Sequence, residues 1–514
     1  MQIAQGLQTI SFLIFRYFSV GVAEISRNFD SKQNCTEMGR WQRLMLVIAI
    51  SWSLNNVDSV WGASRLVCYF NSGASLRQGA GQFTVDNIDP FLCTHLIYVS
   101  AKFEGIIDGG SADLDPKVVK FVQLKYKNPK LKTMLSVGSW INFQSDQYIK
   151  RIIDSKGNMA KFAHSAAQFL SRYGFDGLDF SWPWEFHSPT ANDPGRFIRL
   201  LEALKNAFQS KGFLLSIAVT ANQSISDSSY DIPKMEGLVD FVNLKSYNMT
   251  GSWNSMADHH APLYARKWDT PGSNNVDSAV SYWINKGISK SKINMGIPFF
   301  GNSWTLASGA YNPPAAASGP GLAGPFTATQ GELAFYEICR HVRVYKDFKA
   351  VRSSARLYGP IAYSIRTSGR SWVGYDDADM IIHKGKYILS KNLGGAVVWD
   401  ISMDDFQNSC NGGINPLLSS LSRTLNVFGQ NPQPFVSGSY ATPFNISLQE
   451  WLIFSKFIYL KYLLDALLIL VTVVCENMDK RCVTSGNGSD LTTVRSKHAF
   501  PGFRSLTLAN SRPP

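Results

Sequence analysis

The sequence predicts an α/β chain folded as a closed (β/α)8 barrel with a small α+β insertion between its seventh and eighth strands. Three observations predict it. Eight short, β-branched, near-continuously apolar runs recur between residues 65 and 424, as strands covered on both faces require. Segments with apolar residues at helical spacing lie between them. The gap between the seventh and eighth runs is too long for one helix.

The strands are expected at Arg65–Phe70, His95–Ala101, Lys130–Gly138, Phe175–Trp182, Phe213–Thr220, Asp240–Tyr247, Lys292–Pro298 and Gly394–Trp399. In 194–208, Phe197, Leu200, Leu201, Leu204 and Phe208 form one helical face, with Pro194 near its start. In 159–173, Phe162, Ala166, Phe169, Leu170 and Tyr173 do the same. Residues 301–375 are left for the insertion, and 64–424 make up the whole TIM barrel unit. No internal repeat is visible. In such barrels chemistry sits at the C-terminal ends of the strands, so those ends carry the functional reading.

Composition narrows the classes. With 45% hydrophobic and 17% charged residues, the 514-residue chain is neither disordered nor collagen-like. The net charge of +12 is scattered without a run of five basic residues, which argues for no nucleic-acid partner. Seven cysteines, with no CxxC and no zinc-finger spacing, predict no metal site and no disulfide scaffold. Cys68, Cys93, Cys339 and Cys410 can form two bridges; Cys35, Cys475 and Cys482 lie outside the barrel unit.

The ends read differently. Met38, Arg40 and Arg43, the apolar run Leu44–Leu54 and the small residues Gly62-Ala63 have the order of an export signal. Residues 1–63 are therefore read as a leader whose true start is Met38, and the protein as secreted into an extracellular, disulfide-permissive compartment. Sequons at Asn222, Asn445 and Asn487 then become glycosylation candidates. A fourth, at Asn248, sits at a strand end where a glycan is not expected. Residues 425–514 read as linker and poorly structured tail. The apolar stretch 451–475 is interrupted by Lys456, Lys461 and Asp465, short of the about 20 apolar residues a membrane span needs.

The fourth strand reads Phe175-Asp-Gly-Leu-Asp-Phe-Ser-Trp-Pro-Trp-Glu-Phe186. Alternation puts Asp179, Ser181, Pro183 and Glu185 on one face, with Asp176 at the strand's start. This resembles the Asp-Gly-x-Asp-x-Asp-Trp-Glu signature of family 18 glycoside hydrolases, the chitinases. Further motifs agree in order: Leu131–Trp140 on the third strand, Val242–Trp253 on the sixth, Gly296–Gly301 on the seventh and Gly394–Phe406 on the eighth. The resemblance covers about 65–424 and implies bridges Cys68–Cys93 and Cys339–Cys410. It implies substrate-assisted hydrolysis without a cofactor, an exception to the usual two-carboxylate scheme. The sugar's own N-acetyl oxygen attacks, a glutamic acid protonates the leaving oxygen, and a neighbouring aspartate orients the acetamido group.

Residue by residue, that chemistry fails here. Asp176 and Asp179 match the first two carboxylates, but Ser181 stands at the orienting aspartate and Pro183 at the acid. Proline has no proton to give, and acid catalysis ordinarily supplies about 10²–10⁴ in rate. One escape is a two-residue bulge that brings Glu185 into the acid's seat, across roughly 6–7 Å of strand. Without it no catalytic residue is expected. Trp399, Tyr247, Trp140 and Tyr69 match groove aromatics of the family, on which sugar faces stack, and Asn248 replaces the family's aspartate after Tyr247. Gly73, Ser100, Lys245 and Asn302 are further departures, and Lys245 is expected to snorkel out of the groove.

A retained barrel with a lost acid resembles the chitinase-like lectins and the insect imaginal disc growth factors. The expectation is a secreted, inactive protein whose partner is chitin or an N-acetylglucosamine oligosaccharide, or a growth-factor-like or cuticle-related factor with a cell-surface receptor. The rival readings are an active endochitinase using Glu185 and a protein-interaction scaffold with a vestigial groove.

Overall fold

The computed structural model describes residues 64–99, 116–138, 151–181, 193–269, 274–353, 357–365 and 370–427. The expected leader, the tail beyond 427, Ser100, Trp140, Pro183, Glu185, Asn445 and Asn487 lie outside these residues.

Strands β1 (Arg65–Asn71), β2 (His95–Val99), β3 (Lys132–Val137), β4 (Gly177–Ser181), β5 (Leu214–Thr220) and β6 (Phe241–Lys245) follow in chain order. A two-residue strand, β7 (Met256–Ala257), leaves the barrel before β8 (Ile293–Pro298) returns to it. Strands β9 (Phe300–Leu306), β10 (Ala315–Pro320), β11 (Glu332–Ala334), β12 (Phe348–Val351), β13 (Ile361–Ser364) and β14 (Ser371–Gly374) precede the last barrel strand, β15 (Gly395–Trp399). The barrel closes in the order β1-β15-β8-β6-β5-β4-β3-β2, parallel throughout. It is a (β/α)8 TIM barrel.

The helices form where the periodicity places them. Helix Asp193–Gln209 buries Phe197, Leu200, Leu201, Leu204 and Phe208 completely. Helix Lys156–Tyr173 buries Phe162, Ala166 and Leu170, starts at Ser155, whose side chain accepts from the Asn158 amide, and stops at Gly174 with φ +77°. Its Phe169 and Tyr173 are half-buried and stack on each other at 4.4 Å between ring centroids.

Side chains standing just before a strand lock the preceding one. Asp176 accepts from the Thr133 amide at 2.8 Å, Asp240 from the Leu215 amide at 2.7 Å, and the Thr94 hydroxyl from the Leu66 amide at 2.9 Å. Each satisfies a donor at the N-terminal rim, where the ladder begins.

The insertion is a second, antiparallel sheet in the order β12-β13-β14-β9-β10-β7, with β11 on β9. Its core is Ala257, Trp304, Leu306, Ala315, Ile361 and Trp372. Sequence reading confined the insertion to 301–375, yet β7 joins it from the loop after β6 and pairs Met256 with Ala316. Two residues carry no period, so nothing in the sequence marked this strand. Disulfides join Cys68 to Cys93 and Cys339 to Cys410. Among the described residues no helix is long and apolar enough to cross a membrane.

Candidate functional site

The site is built inward from β4. Asp179 faces the barrel interior and is 0% exposed. Its Oδ2 accepts from the Tyr69 hydroxyl at 2.7 Å, and its Oδ1 from the Ser216 hydroxyl at 2.6 Å and the Asn243 amide at 3.0 Å. Burial pushes this carboxyl above its ordinary range, against those three hydrogen bonds and the charge of Lys245. Burial and the Asp179 carboxylate push the Tyr69 phenol far up.

The polar chain continues down the barrel. Asn294 donates to Asn243 Oδ1 at 3.0 Å, and Arg65 Nε donates to Asn294 Oδ1 at 3.1 Å. Burial lowers the Arg65 guanidinium to about 10. Ser216, Asn243 and Asn294 each interrupt an apolar strand run, the one sequence signal that could have found them. Each satisfies its neighbour, as buried polar groups must.

Above this layer lies an aromatic floor. Trp399 ends β15 and packs its indole against the Tyr69 ring, 5.2 Å between centroids and tilted by 58°. Tyr247, just past β6, meets Phe300 edge-on at 5.9 Å and lies within electrostatic reach of Tyr69. Tyr69, Tyr247, Trp399 and Asp179 are thus brought together. Asp176 is not among them. It lies at the N-terminal end of β4, roughly 10 Å along the strand from Asp179, paired with Lys125 at 2.8 Å and Lys132 at 3.4 Å. Its role there is the strand lock described above.

Ser181 ends β4 on the same face as Asp179 and is buried, with Ala218 beside it in register. A hydroxyl there offers no negative charge to an acetamido group. Lys245 shares a face of β6 with Asn243, which points inward, so alternation turns the lysine into the mouth. It is half-buried, and its charge is felt at Asp179, not carried away to solvent.

Two separate sequence departures turn out to be neighbours. Asn302 donates to Asn248 Oδ1 at 3.0 Å and to the Thr250 carbonyl at 2.7 Å. Asn248 has φ +55°, a backbone region that asparagine tolerates, and its amide donates to His260 Nδ1 at 3.3 Å. The lip beside Tyr247 is therefore held by neutral amides.

Sequence reasoning did not single out Trp253, which is 68% exposed on the loop after Tyr247. Its indole covers Gly251, where a Cβ would come within 2.2 Å of the ring. Nor did it single out Glu332, which sits on β11 directly across from Asn302. Asn222 is exposed at the start of helix Gln223–Ser229, and its Oδ1 accepts from the Ile225 amide at 3.1 Å.

Comparison with known proteins agrees with this geometry. The family model described as glycosyl hydrolases family 18 matches residues 65–404. Human chitinase-3-like protein 2 is 39% identical over 379 residues, covering 71% of this chain and 93% of its own. Mouse chitotriosidase-1 is 34% identical over 407 residues, covering 76% of this chain and 83% of its own. Among solved structures, human YKL-39, described as a pseudo-chitinase with retained chitooligosaccharide binding, is 39% identical with a TM-score of 0.64, covering 71% of this chain and 100% of that one. Catalytic domain 2 of the Group II chitinase of Ostrinia furnacalis is 33% identical with a TM-score of 0.66, covering 72% and 98%. The barrel, its matched strand-end motifs and these relatives agree: the chain belongs to family 18 of the glycosyl hydrolases.

Proposed function

We propose that this protein is a secreted, non-hydrolytic chitinase-like protein that binds chitin-type N-acetylglucosamine oligosaccharides over Trp399. The observation that carries the reading is the split at the barrel mouth. The aromatic floor of Tyr69, Tyr247 and Trp399 is kept, while Asp179 is sealed beneath it on three hydrogen bonds. Asp179 is a structural carboxyl; the signature's orienting and proton-donating roles fall on the next two positions, not on it. In the sequence, serine and proline take the next two positions of that face, Ser181 and Pro183. Retained chitooligosaccharide binding in the related pseudo-chitinase YKL-39 supports the binding half. The leader-like segment and the two disulfides support export, and Asn222 is then an accessible glycosylation position.

Retention on chitin beads tests the reading. The wild type is expected to be retained, and Trp399→Ala to weaken retention by about tenfold or more, since burying an aromatic face contributes about 1.5–3 kcal/mol. A wild type that flows through leaves the groove vestigial and the scaffold reading in its place.

A further inference from the structure

Glu332 stands at a corner of the groove within electrostatic reach of the buried Asp400, and its own carboxyl is left without a donor among the described residues. Glu332 and Asn302 are cross-strand partners, so their side chains share a face. The Asn302 side chain reaches Asn248 beside Tyr247, which places that face at the groove. Asp400 follows Trp399 directly and is 0% exposed; its Oδ1 accepts from the Ser402 amide at 2.7 Å and from the Ser402 hydroxyl. Asn71 and the charge of Arg77 also favour its ionised form, and its Oδ2 has no hydrogen-bond partner. Among the described residues the Glu332 carboxyl accepts no hydrogen bond.

The other polar groups of this corner are already engaged or carry no charge. Arg77, which follows β1, donates to the Ser402 carbonyl at 3.2 Å and its hydroxyl at 3.0 Å and forms no ion pair among the described residues. Glu337 accepts from the Phe326, Thr327 and Ala334 amides and the Thr327 hydroxyl. Tyr336 is buried and neutral, its phenol pushed up by burial. Two carboxyls thus stand near one engaged guanidinium, beside the tryptophan on which a sugar would stack.

We propose that Glu332 makes the groove selective for chitin-type oligosaccharides with a free amine, its carboxylate binding the ammonium of a de-N-acetylated glucosamine unit next to the sugar on Trp399. This rests on the sugar-binding reading above and names its substrate class: partly deacetylated chitin. Burial first, and then the charge of Asp400, raise Glu332 to about 7, with Arg77 opposing. The bound pair holds one proton between amine and carboxyl. Selectivity therefore peaks near neutral pH and falls on both sides, where the pair carries two protons or none.

The test is calorimetric titration with hexa-N-acetylchitohexaose and with its monodeacetylated counterparts at pH 5, 7 and 9. At pH 7 the wild type is expected to prefer at least one monodeacetylated hexamer by about tenfold, the strength of a charge-assisted hydrogen bond. In Glu332→Gln that ratio is expected to fall to about one. A wild-type ratio of one at pH 7, or a preference that survives Glu332→Gln, overturns the proposal while leaving sugar binding in place. If the fully acetylated hexamer does not bind the wild type, the sugar-binding reading fails and this one falls with it.

Discussion

The carboxyl of Asp179 meets two hydroxyls and an amide inside the barrel. Asparagine at this position keeps an acceptor for Ser216 and Asn243 and can donate to the Tyr69 oxygen. Alanine leaves all three partners buried without it. Asp179→Asn is therefore expected to cost about 1 kcal/mol and Asp179→Ala about 3 kcal/mol or more, read by urea unfolding. Equal losses for the two would mean that the hydrogen bonds do not hold the carboxyl in place. The same residue marks a limit of sequence reading. Its match to a signature carboxylate was legible; its seal from the groove was not, because that depends on Tyr69, Ser216 and Asn243 converging from three other strands.

At the scale of elements, the eight barrel strands were legible because each is a short apolar run with its own entry signal. The stop at Gly174 is a local event, and the locks Thr94, Asp176 and Asp240 each stand directly before a strand, although the amides they hold belong to the strand before. β7 and the Asn248–Asn302 pair were not legible, since both arise from contacts between distant segments. Two element ends also hold histidines in neutral form. His95 opens β2, with Nδ1 2.8 Å from the Thr94 hydroxyl, and burial lowers it to about 4. His260, in the loop after β7, is lowered to about 3 by burial and by Lys384. Below about 6.5 the unfolded chain takes up protons that these folded imidazoles refuse. Stability is thus lost as pH falls from about 6.5 to about 4, by up to about 1.4 kcal/mol per pH unit for each histidine. Urea unfolding at pH 7, 5.5 and 4 checks this. His95→Gln, which cannot take the proton, is expected to flatten the slope by one proton; an unchanged slope would show that His95 titrates normally.

At the scale of the molecule, a closed parallel barrel carries a second sheet whose β11 sets Glu332 across from Asn302. One disulfide, Cys68–Cys93, ties β1 to the segment entering β2; the other, Cys339–Cys410, ties the insertion to the chain after β15. Relatives at similar identity include chitotriosidase-1 and the pseudo-chitinase YKL-39, so overall likeness does not separate cutting from holding. The proposal that this chain holds without cutting rests on the fourth-strand signature in the sequence, where Ser181 and Pro183 stand at the orienting aspartate and the acid. The most direct measurement is mass spectrometry of hexa-N-acetylchitohexaose incubated with the purified protein. An intact hexamer is expected, recovered bound to the wild type and lost from Trp399→Ala. Dimers and trimers that accumulate with the wild type and vanish with Glu185→Gln would contradict it.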